Sequence, residues 1–372
     1  TCGGIVIQWR STNGRTNPIP IGMRTRTFWN RRVRMDSKRF AERGGLIRLD
    51  ADGSDLEHWT SIYVARPVEY SMRVFSFPSG TNFRPPRWVP EDVSSYQTIY
   101  IDLQNLFKYC GPLYDELFGD GYKGTFDAVV EGIRSEEGAN CDLEKELVAF
   151  LGSRVDFIGQ YSRNPSSTGE ATVIALETEN EEKVAAALDR WLGADSGAEG
   201  TKVAGQTHRL WKLGNDADDY PDEDSNAVAS GALVTNGVLL ISGDHRAIER
   251  LVSAADSDGV LADAAAGQRL AQKLVDGDQQ DVMLRTLSFW DRDYLASYEQ
   301  LRLEGPDDVE SQTIGMILAL RAAANDGDPS PIKFSKLVPV ELVRKYFGKS
   351  AMVGRNHEKG WLFEGIIEPP RE

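Results

Sequence analysis

Two short phrases near opposite ends of the chain are almost the same. The phrase "ELVAFLG" spans residues 146–152, and "ELVRKYFG" spans residues 341–348. Each places apolar residues at helical spacing before a glycine, which is typical of an amphipathic helix that stops at that glycine. When Gly152 is aligned with Gly348, the two "ELV" triplets fall one residue out of step. The recurrence predicts an internal duplication, with chance similarity of two glycine-stopped helices as the alternative.

The order of predicted elements around the two phrases is also similar. The strand "YQTIYID" and the helices "LYDELF" and "TFDAVVEGI" precede the first phrase, and the strands "RVDFIGQY" and "ATVIALET" follow it. The strand "DVMLRTLSFW" and the helices "DYLASYEQLRL" and "QTIGMILALRAA" precede the second, and "SAMVGRN" and "GWLFEGII" follow it. In the glycine alignment the apolar positions Leu147, Phe150 and Leu151 correspond to Val343, Tyr346 and Phe347.

The residues between these two units predict further helices and one tight hairpin. "EEKVAAALDRWLG" is a helix with Val184, Leu188 and Leu192 on its apolar face, and Asn236-Gly237 favours a type I′ turn. We therefore predict an α+β fold, with an antiparallel-rich sheet, helices packed on one face, and two related strand-helix-helix-hairpin units.

Composition shifts suggest three regions. Residues 1–95 read as an irregular basic N-terminal region with a Pro-rich linker, "PSGTNFRPPRWVPEDVSS", and we expect them to be the tail of a truncated upstream domain. Residues 96–280 form the first α+β unit with a helix-hairpin-helix extension, and residues 281–372 form the second unit. Within the first region "SIYVA" and "YSMRVFSF" are predicted strands.

Charge and hydropathy narrow the classes of partner. The 41% apolar and 27% charged residues are typical of a globular protein, and no segment approaches the roughly 20 apolar residues of a membrane helix. Residues 1–50 hold eleven basic and three acidic residues, whereas the whole chain has a net charge of −15. A basic start fits either an anionic partner or a truncated sequence, and the acidic remainder would repel nucleic acid.

Motifs for common enzyme chemistry are missing from the sequence. The four histidines, His58, His208, His245 and His357, show no HExxH spacing, there is no GxSxG or GxxxxGK[ST] motif, and no GxGxxG follows a predicted strand. The glycine cluster "GDGYKG" lacks a preceding strand and predicts a loop between helices. We therefore assign no catalytic residue, no cofactor-binding residue and no cofactor.

The cysteines are Cys2, Cys110 and Cys141, an odd number without CxxC spacing. Thiolate metal ligation is therefore not indicated. In an oxidising compartment Cys110 and Cys141 would form the candidate disulfide, because both lie in the first unit. The alternative is that both are small buried residues.

One acidic segment, "NDADDYPDEDSN", offers candidate metal ligands, and "DADGSD" from Asp50 to Asp55 is a similar but weaker case. The carboxylates of the first segment at Asp216, Asp218, Asp222 and Asp224 would suit a calcium ion. The segment lacks the glycine of an EF-hand loop, and the alternative is a solvated insertion between two strands.

The tryptophans are spread along the chain. They include Trp29, Trp59, Trp88, Trp191, Trp211, Trp290 and Trp361. Dispersed aromatic residues favour core packing, and a carbohydrate-binding platform is the alternative.

Six segments together resemble an uncharacterised family of exported bacterial proteins, of the planctomycete type, that is classed as a domain of unknown function. They are "RPVEYSMRVFSFP", "WVPEDVSSY", "DLEKELVAFLGSRV", "ATVIALETENEEKVAAALDRWL", "LVTNGVLLISGDHRAIERLV" and "VRKYFGKSAMVGRNHEKGWLFEGII", and they cover about residues 63–367. The resemblance implies a signal sequence upstream of Thr1, and it transfers no catalytic residue. Residues 1 to about 50 depart from the family pattern.

Together these observations predict a non-enzymatic extracytoplasmic protein of the periplasm or cell envelope, with an unknown protein or glycan as its partner. Such a protein would have an exposed apolar or aromatic groove between its two units. A hydrolase is the rival hypothesis, and it requires two carboxyls that folding brings together, at least one with a raised pKa. A structural repeat protein without a ligand is the third.

Overall fold

The computed structural model describes residues 6–12, 40–51, 54–64, 68, 70–117, 122–135, 138–161, 170–195, 197–214, 229–254, 259–264, 281–292, 298, 302, 336–343 and 347–368. All structural statements below concern these residues.

The described strands form one large antiparallel sheet. Their bounds are β1 Val6–Thr12, β2 Phe40–Ala51, β3 Ser54–Val64, β4 Ser95–Tyr100, β5 Leu151–Tyr161, β6 Glu170–Thr178, β7 Ala198–Lys202, β8 Arg209–Leu213, β9 Ser230–Thr235, β10 Val238–Ser242, β11 Val282–Phe289, β12 Lys349–His357 and β13 Gly360–Glu368. Their order across the sheet is β1-β2-β3-β13-β12-β11-β4-β5-β6-β10-β9-β8-β7. The predicted α+β class with an antiparallel sheet is therefore confirmed.

Six α-helices are described. They are α1 Leu103–Tyr109, α2 Gly111–Leu117, α3 Thr125–Arg134, α4 Glu181–Gly193, α5 His245–Ala254 and α6 Val340–Val343. Helix α4 buries Val184, Leu188 and Leu192, which confirms its predicted apolar face. Its N-terminus is capped by Asn180, whose side chain accepts a hydrogen bond from the Lys183 backbone nitrogen.

The turn between β9 and β10 follows the sequence prediction. Asn236 and Gly237 have φ values of 54° and 74°, and Thr235 lies opposite Val238. Positive φ at both central residues is the geometry of a type I′ turn, which matches the twist of the flanking strands.

Helices pack on both faces of the sheet, so the prediction of helices on one face is wrong. Leu239 and Leu240 are consecutive in β10 and therefore point to opposite faces. Leu239 belongs to the apolar cluster that contains Val184 of α4, whereas Leu240 belongs to the cluster that contains Ile248 of α5. The nearly continuous apolar run of β10 has the composition of a strand that is buried on both sides.

The first repeated phrase ends in a strand instead of a helix. Leu143–Leu147 form one π-helical turn and Val148–Phe150 one 3₁₀ turn, after which β5 begins at Leu151. Gly152 therefore lies within β5, and its prediction as a helix stop is wrong. A Cβ atom at Gly152 would come within 2.5 Å of the Glu177 Oε2 atom, which is at the end of a flexible side chain.

Parts of the first ninety-five residues also differ from the prediction. Strands β2 and β3 are long, and β3 pairs with β13 along the central sheet, so they are not irregular. Residues Tyr70–Val74 form a 3₁₀ turn where a strand was predicted. The domain boundaries at residues 95 and 280 stay predictions.

The Pro-rich segment is packed against the sheet and is not an extended linker. Val89 is 0% exposed and Val93 is 1% exposed, and both belong to the core cluster that contains Tyr96. Burying these side chains holds the segment on the sheet despite its prolines, because apolar burial outweighs the weak local structure.

In the described residues, no helix is long and apolar enough to cross a membrane.

We expect neighbouring substitutions in β10 to differ sharply in cost. Leu240→Ala, at a residue that is 1% exposed, should lower the free energy of unfolding by about 2–5 kcal/mol. Ile241→Ala, at a residue that is 37% exposed, should lower it by about 1 kcal/mol or less. Urea denaturation of both variants measures the difference, and equal losses would contradict the assigned burial of the two faces.

Candidate binding face

The two faces of the central strands differ in how much of their surface other segments cover. One face, which we call the covered face, bears Tyr96, Ile158 and Leu287, and all three are buried in the largest apolar cluster. The open face is the opposite one, which bears Gln97, Phe157 and their neighbours in register. Side chains alternate between these faces along each strand.

A strap, defined as residues 78–94, crosses the covered face. The Gly80 backbone nitrogen donates to the Val282 carbonyl oxygen at 2.7 Å, and the Tyr100 hydroxyl donates to the Asn82 carbonyl oxygen at 2.9 Å. Farther along, the Leu261 backbone nitrogen donates to the Val89 carbonyl oxygen at 2.9 Å. The first two hydrogen bonds tie the strap to the sheet, and the third ties it to the 3₁₀ turn Leu261–Asp263.

Below the strap lies a buried polar cluster, defined as Tyr96, Thr98, Arg154 and Asp156. The Thr98 hydroxyl donates to Asp156 Oδ1 at 2.6 Å, and Arg154 Nε donates to the same oxygen at 3.2 Å. Arg154 Nη2 donates to the Tyr96 hydroxyl oxygen and to the Arg84 carbonyl oxygen, each at 2.9 Å. The cluster therefore joins strands β4 and β5 to the strap.

The electrostatics of the polar cluster favour a structural role. Burial, and then the Asp156 carboxylate, raise the pKa of the Tyr96 hydroxyl above its usual range, so it stays neutral. Burial alone would lower the pKa of Arg154, but Tyr96 and Asp156 outweigh it, and the pKa ends above its usual value. Asp156 is 2% exposed and Thr98 is 0% exposed, which leaves a solute no access to this ion pair.

Removing one charge of this pair should be costly. We expect Asp156→Ala to lower the free energy of unfolding by about 3–5 kcal/mol, because it leaves the Arg154 guanidinium buried and unpaired. The double variant Asp156→Leu with Arg154→Met should recover most of that loss, since it removes both charges together. Urea denaturation compares the variants, and a double variant as unstable as Asp156→Ala would contradict the assigned role.

The open face carries a continuous row of uncharged side chains. Six of these residues lie side by side on consecutive strands, and we call them the neutral row. They are Ile241, Ile174, Phe157, Gln97, Thr286 and Met352. The row crosses β10, β6, β5, β4, β11 and β12 in register. At about 4.8 Å between strands it is roughly 24 Å long.

The neutral row remains partly accessible, whereas the adjoining half of the open face is filled. Ile241 is 37% exposed, and the other five side chains of the row are partly exposed. Two residues farther along the strands, Val155 and Leu239 are 2% exposed and Leu284 is 7% exposed. Leu239 belongs to the apolar cluster of α4 and Leu147. Leu284 belongs to a second cluster with Met72 and Trp361, and Met352 at the end of the row packs against that cluster.

A hydrogen bond lies at the centre of the row. The Thr286 hydroxyl donates to Gln97 Oε1 at 3.1 Å, which fixes the orientation of the Gln97 amide. In the part of the chain that the structure describes, no residue accepts a hydrogen bond from Gln97 Nε2. This amide nitrogen is therefore available to donate to an acceptor above the sheet.

The four histidines are dispersed. His208 lies in the turn before β8 with its Nε2 atom 3.5 Å from Glu181 Oε1, and His245 begins α5. His58 lies in β3 against Gly365, and His357 ends β12. The fold therefore brings no two of them to one site.

Burial lowers the pKa of His58 below the usual value of 6.5. The folded protein therefore binds a proton at His58 less readily than the unfolded chain does. As the pH falls below about 6.5, this difference lowers the free energy of unfolding. We expect His58→Gln to lose less stability than the parent between pH 7 and pH 5. Thermal unfolding across this range measures the effect, and parallel pH profiles would contradict it.

Cys110 and Cys141 are free thiols. Cys110 donates to the Phe107 carbonyl oxygen at 3.3 Å, and Cys141 is fully buried beside Ala187. Burial raises the pKa of both thiols, which makes them poor nucleophiles. Cys2 lies outside the described residues.

The calcium candidates Asp216, Asp218, Asp222 and Asp224 all lie outside the described residues, so this site stays a prediction. Within the ranges that are described, no three His, Cys, Asp or Glu side chains come together as a metal site would require.

The carboxyls whose pKa is displaced do not fit a general acid. Hydrogen bonds from Lys145 lower the pKa of Asp142. Burial alone would raise the pKa of Asp244, but hydrogen bonds from Arg246 outweigh it and the pKa is lowered. Both side chains cap helical turns by accepting backbone hydrogen bonds from these same residues. A hydrolytic acid needs the opposite displacement.

The described tryptophans contribute mainly to packing. Trp211 is 6% exposed and donates from Nε1 to Asp189 Oδ1, and Trp361 is 8% exposed and contacts the rings of Phe75 and Phe77 edge-on. No described tryptophan belongs to the neutral row. Sequence reasoning also missed the row itself, because its members are ordinary strand residues that only the register aligns.

Comparison with protein-family models, with curated proteins and with solved structures finds no match.

Proposed function

We propose that this chain is a non-enzymatic interaction protein that acts outside the cytoplasm, in the periplasm or cell envelope, and that it binds a partner protein on the neutral row. The observation that carries the proposal is the partly exposed row from Ile241 to Met352 on a sheet whose opposite face is buried at Tyr96, Ile158 and Leu287. Exposed apolar side chains in a contiguous row favour an interaction surface.

The composition of the row favours a protein partner over a glycan. Ile241, Ile174 and Met352 are aliphatic, and Phe157 is the one aromatic residue in the row. Flat glycan platforms rely on stacked aromatic rings, whereas aliphatic side chains complement the apolar side chains of a protein.

The export of the chain rests on the resemblance to an exported bacterial family. That resemblance depends on the order of segments such as "WVPEDVSSY" and "LVTNGVLLISGDHRAIERLV". Subcellular fractionation of the native host tests this export. The protein should be recovered in the periplasmic or envelope fraction, and recovery in the cytoplasmic fraction would contradict the proposal.

We also propose that the two units arose by duplication and are related by a twofold axis perpendicular to the sheet. The strand order β13-β12-β11-β4-β5-β6 supports this, because β4-β5-β6 and β11-β12-β13 extend in opposite directions from one antiparallel pair. In this arrangement Gln97 and Thr286, which lie opposite each other, would be equivalent residues.

The faces of the sheet discriminate between the two alignments of the repeated phrases. A perpendicular twofold axis keeps equivalent residues on the same face. Aligning Gly152 with Gly348 matches Phe157 with Val353, which lies on the covered face beside Phe83. Aligning the "ELV" triplets instead matches Phe157 with Met352, and both belong to the neutral row. The proposal therefore adopts the "ELV" alignment, and the row lies on the axis between the units.

Site-specific photo-crosslinking in the native host tests the binding surface. A photoreactive residue at Ile241 should form a discrete protein adduct, because this position is at one end of the row. The same residue at Tyr122, which is 77% exposed and precedes α3, provides the control. No adduct at Ile241, or the same adduct at both positions, would contradict the proposal.

A further inference from the structure

We infer that the partner segment recognised by the neutral row is an uncharged, aliphatic, extended peptide. This inference rests on the proposed interaction function and specifies its ligand. It is carried by the distribution of charge between the two faces of the same strands.

Charged side chains are confined to the covered face in this region. Arg154 and Asp156 of β5 and Arg285 of β11 all point to that face. The row on the opposite face has no formal charge, although 27% of the residues in the chain are charged and its net charge is −15. A ligand charge placed on this row would lose hydration without gaining an ionic partner among its six residues.

The row provides alternating kinds of contact. Phe157 and Ile174 present apolar surface on one side of Gln97, and Met352 presents it beyond Thr286. The amide nitrogen of Gln97 lies between them and can donate to a backbone carbonyl oxygen of the ligand. A peptide that crosses the strands would therefore place aliphatic side chains at the ends and a carbonyl group near the centre.

The length of the row sets the size of the ligand. A row of roughly 24 Å accommodates about seven residues of an extended peptide at about 3.3 Å per residue. Such a segment would make few hydrogen bonds with the sheet, because the strands already pair on both sides. Most of its affinity would come from apolar contact.

Selection from a random peptide library tests the inference with purified protein. Peptides enriched on the parent chain should contain a core free of Asp, Glu, Lys and Arg, with several Val, Ile or Leu residues. Ile241→Asp should reduce their binding at least about tenfold, since the added carboxylate faces apolar ligand atoms. Val129→Asp is the matched control, because Val129 is a 45% exposed valine on α3, and it should leave binding unchanged.

A second variant, Thr286→Lys, places a charge at the centre of the row and should have the same effect as Ile241→Asp. Unchanged circular dichroism establishes that each variant is folded. A charged consensus among the selected peptides, or binding that survives both row variants, would overturn the inference. An adduct at Ile241 in the native host together with a charged consensus would retain the interaction function and reject only this ligand class.

Discussion

The antiparallel pairing of β4 with β11 is the interaction on which the rest of the structure depends. These strands are distant in sequence, and their register places Gln97 opposite Thr286. The hairpin β5-β6 continues the sheet on one side, and β12-β13 continues it on the other. A slip of one residue in this register would turn every side chain of one half to the wrong face, so packing on the covered face strongly specifies it.

The covered face supplies that specificity. Tyr96 and Leu287 lie opposite each other within the main apolar cluster, and the ion pair of Arg154 and Asp156 lies nearby beneath the strap. The strap and the polar cluster bury the covered face. Part of the open face can therefore remain accessible without loss of this packing. That division leaves the neutral row partly accessible to the proposed partner.

Local signals in the sequence were sufficient for several elements. The Asn236-Gly237 turn and the apolar face of α4 depend on neighbouring residues, and both were predicted. The strand that begins at Leu151 was read as the end of a helix, because its apolar spacing fits a helix equally well. Helix placement on both faces and the neutral row depend on contacts between distant strands, which periodicity does not specify.

Side-chain footprinting in the native envelope tests the central claim most directly. Carbene labelling of Ile241 and Met352 would be measured in intact envelopes and again on the purified protein, with Tyr122 as the reference. The account predicts that both row residues are protected in the envelope and become labelled after purification, while labelling of Tyr122 stays constant. Equal labelling of the row in the two preparations would show that no partner occupies it and would contradict the account.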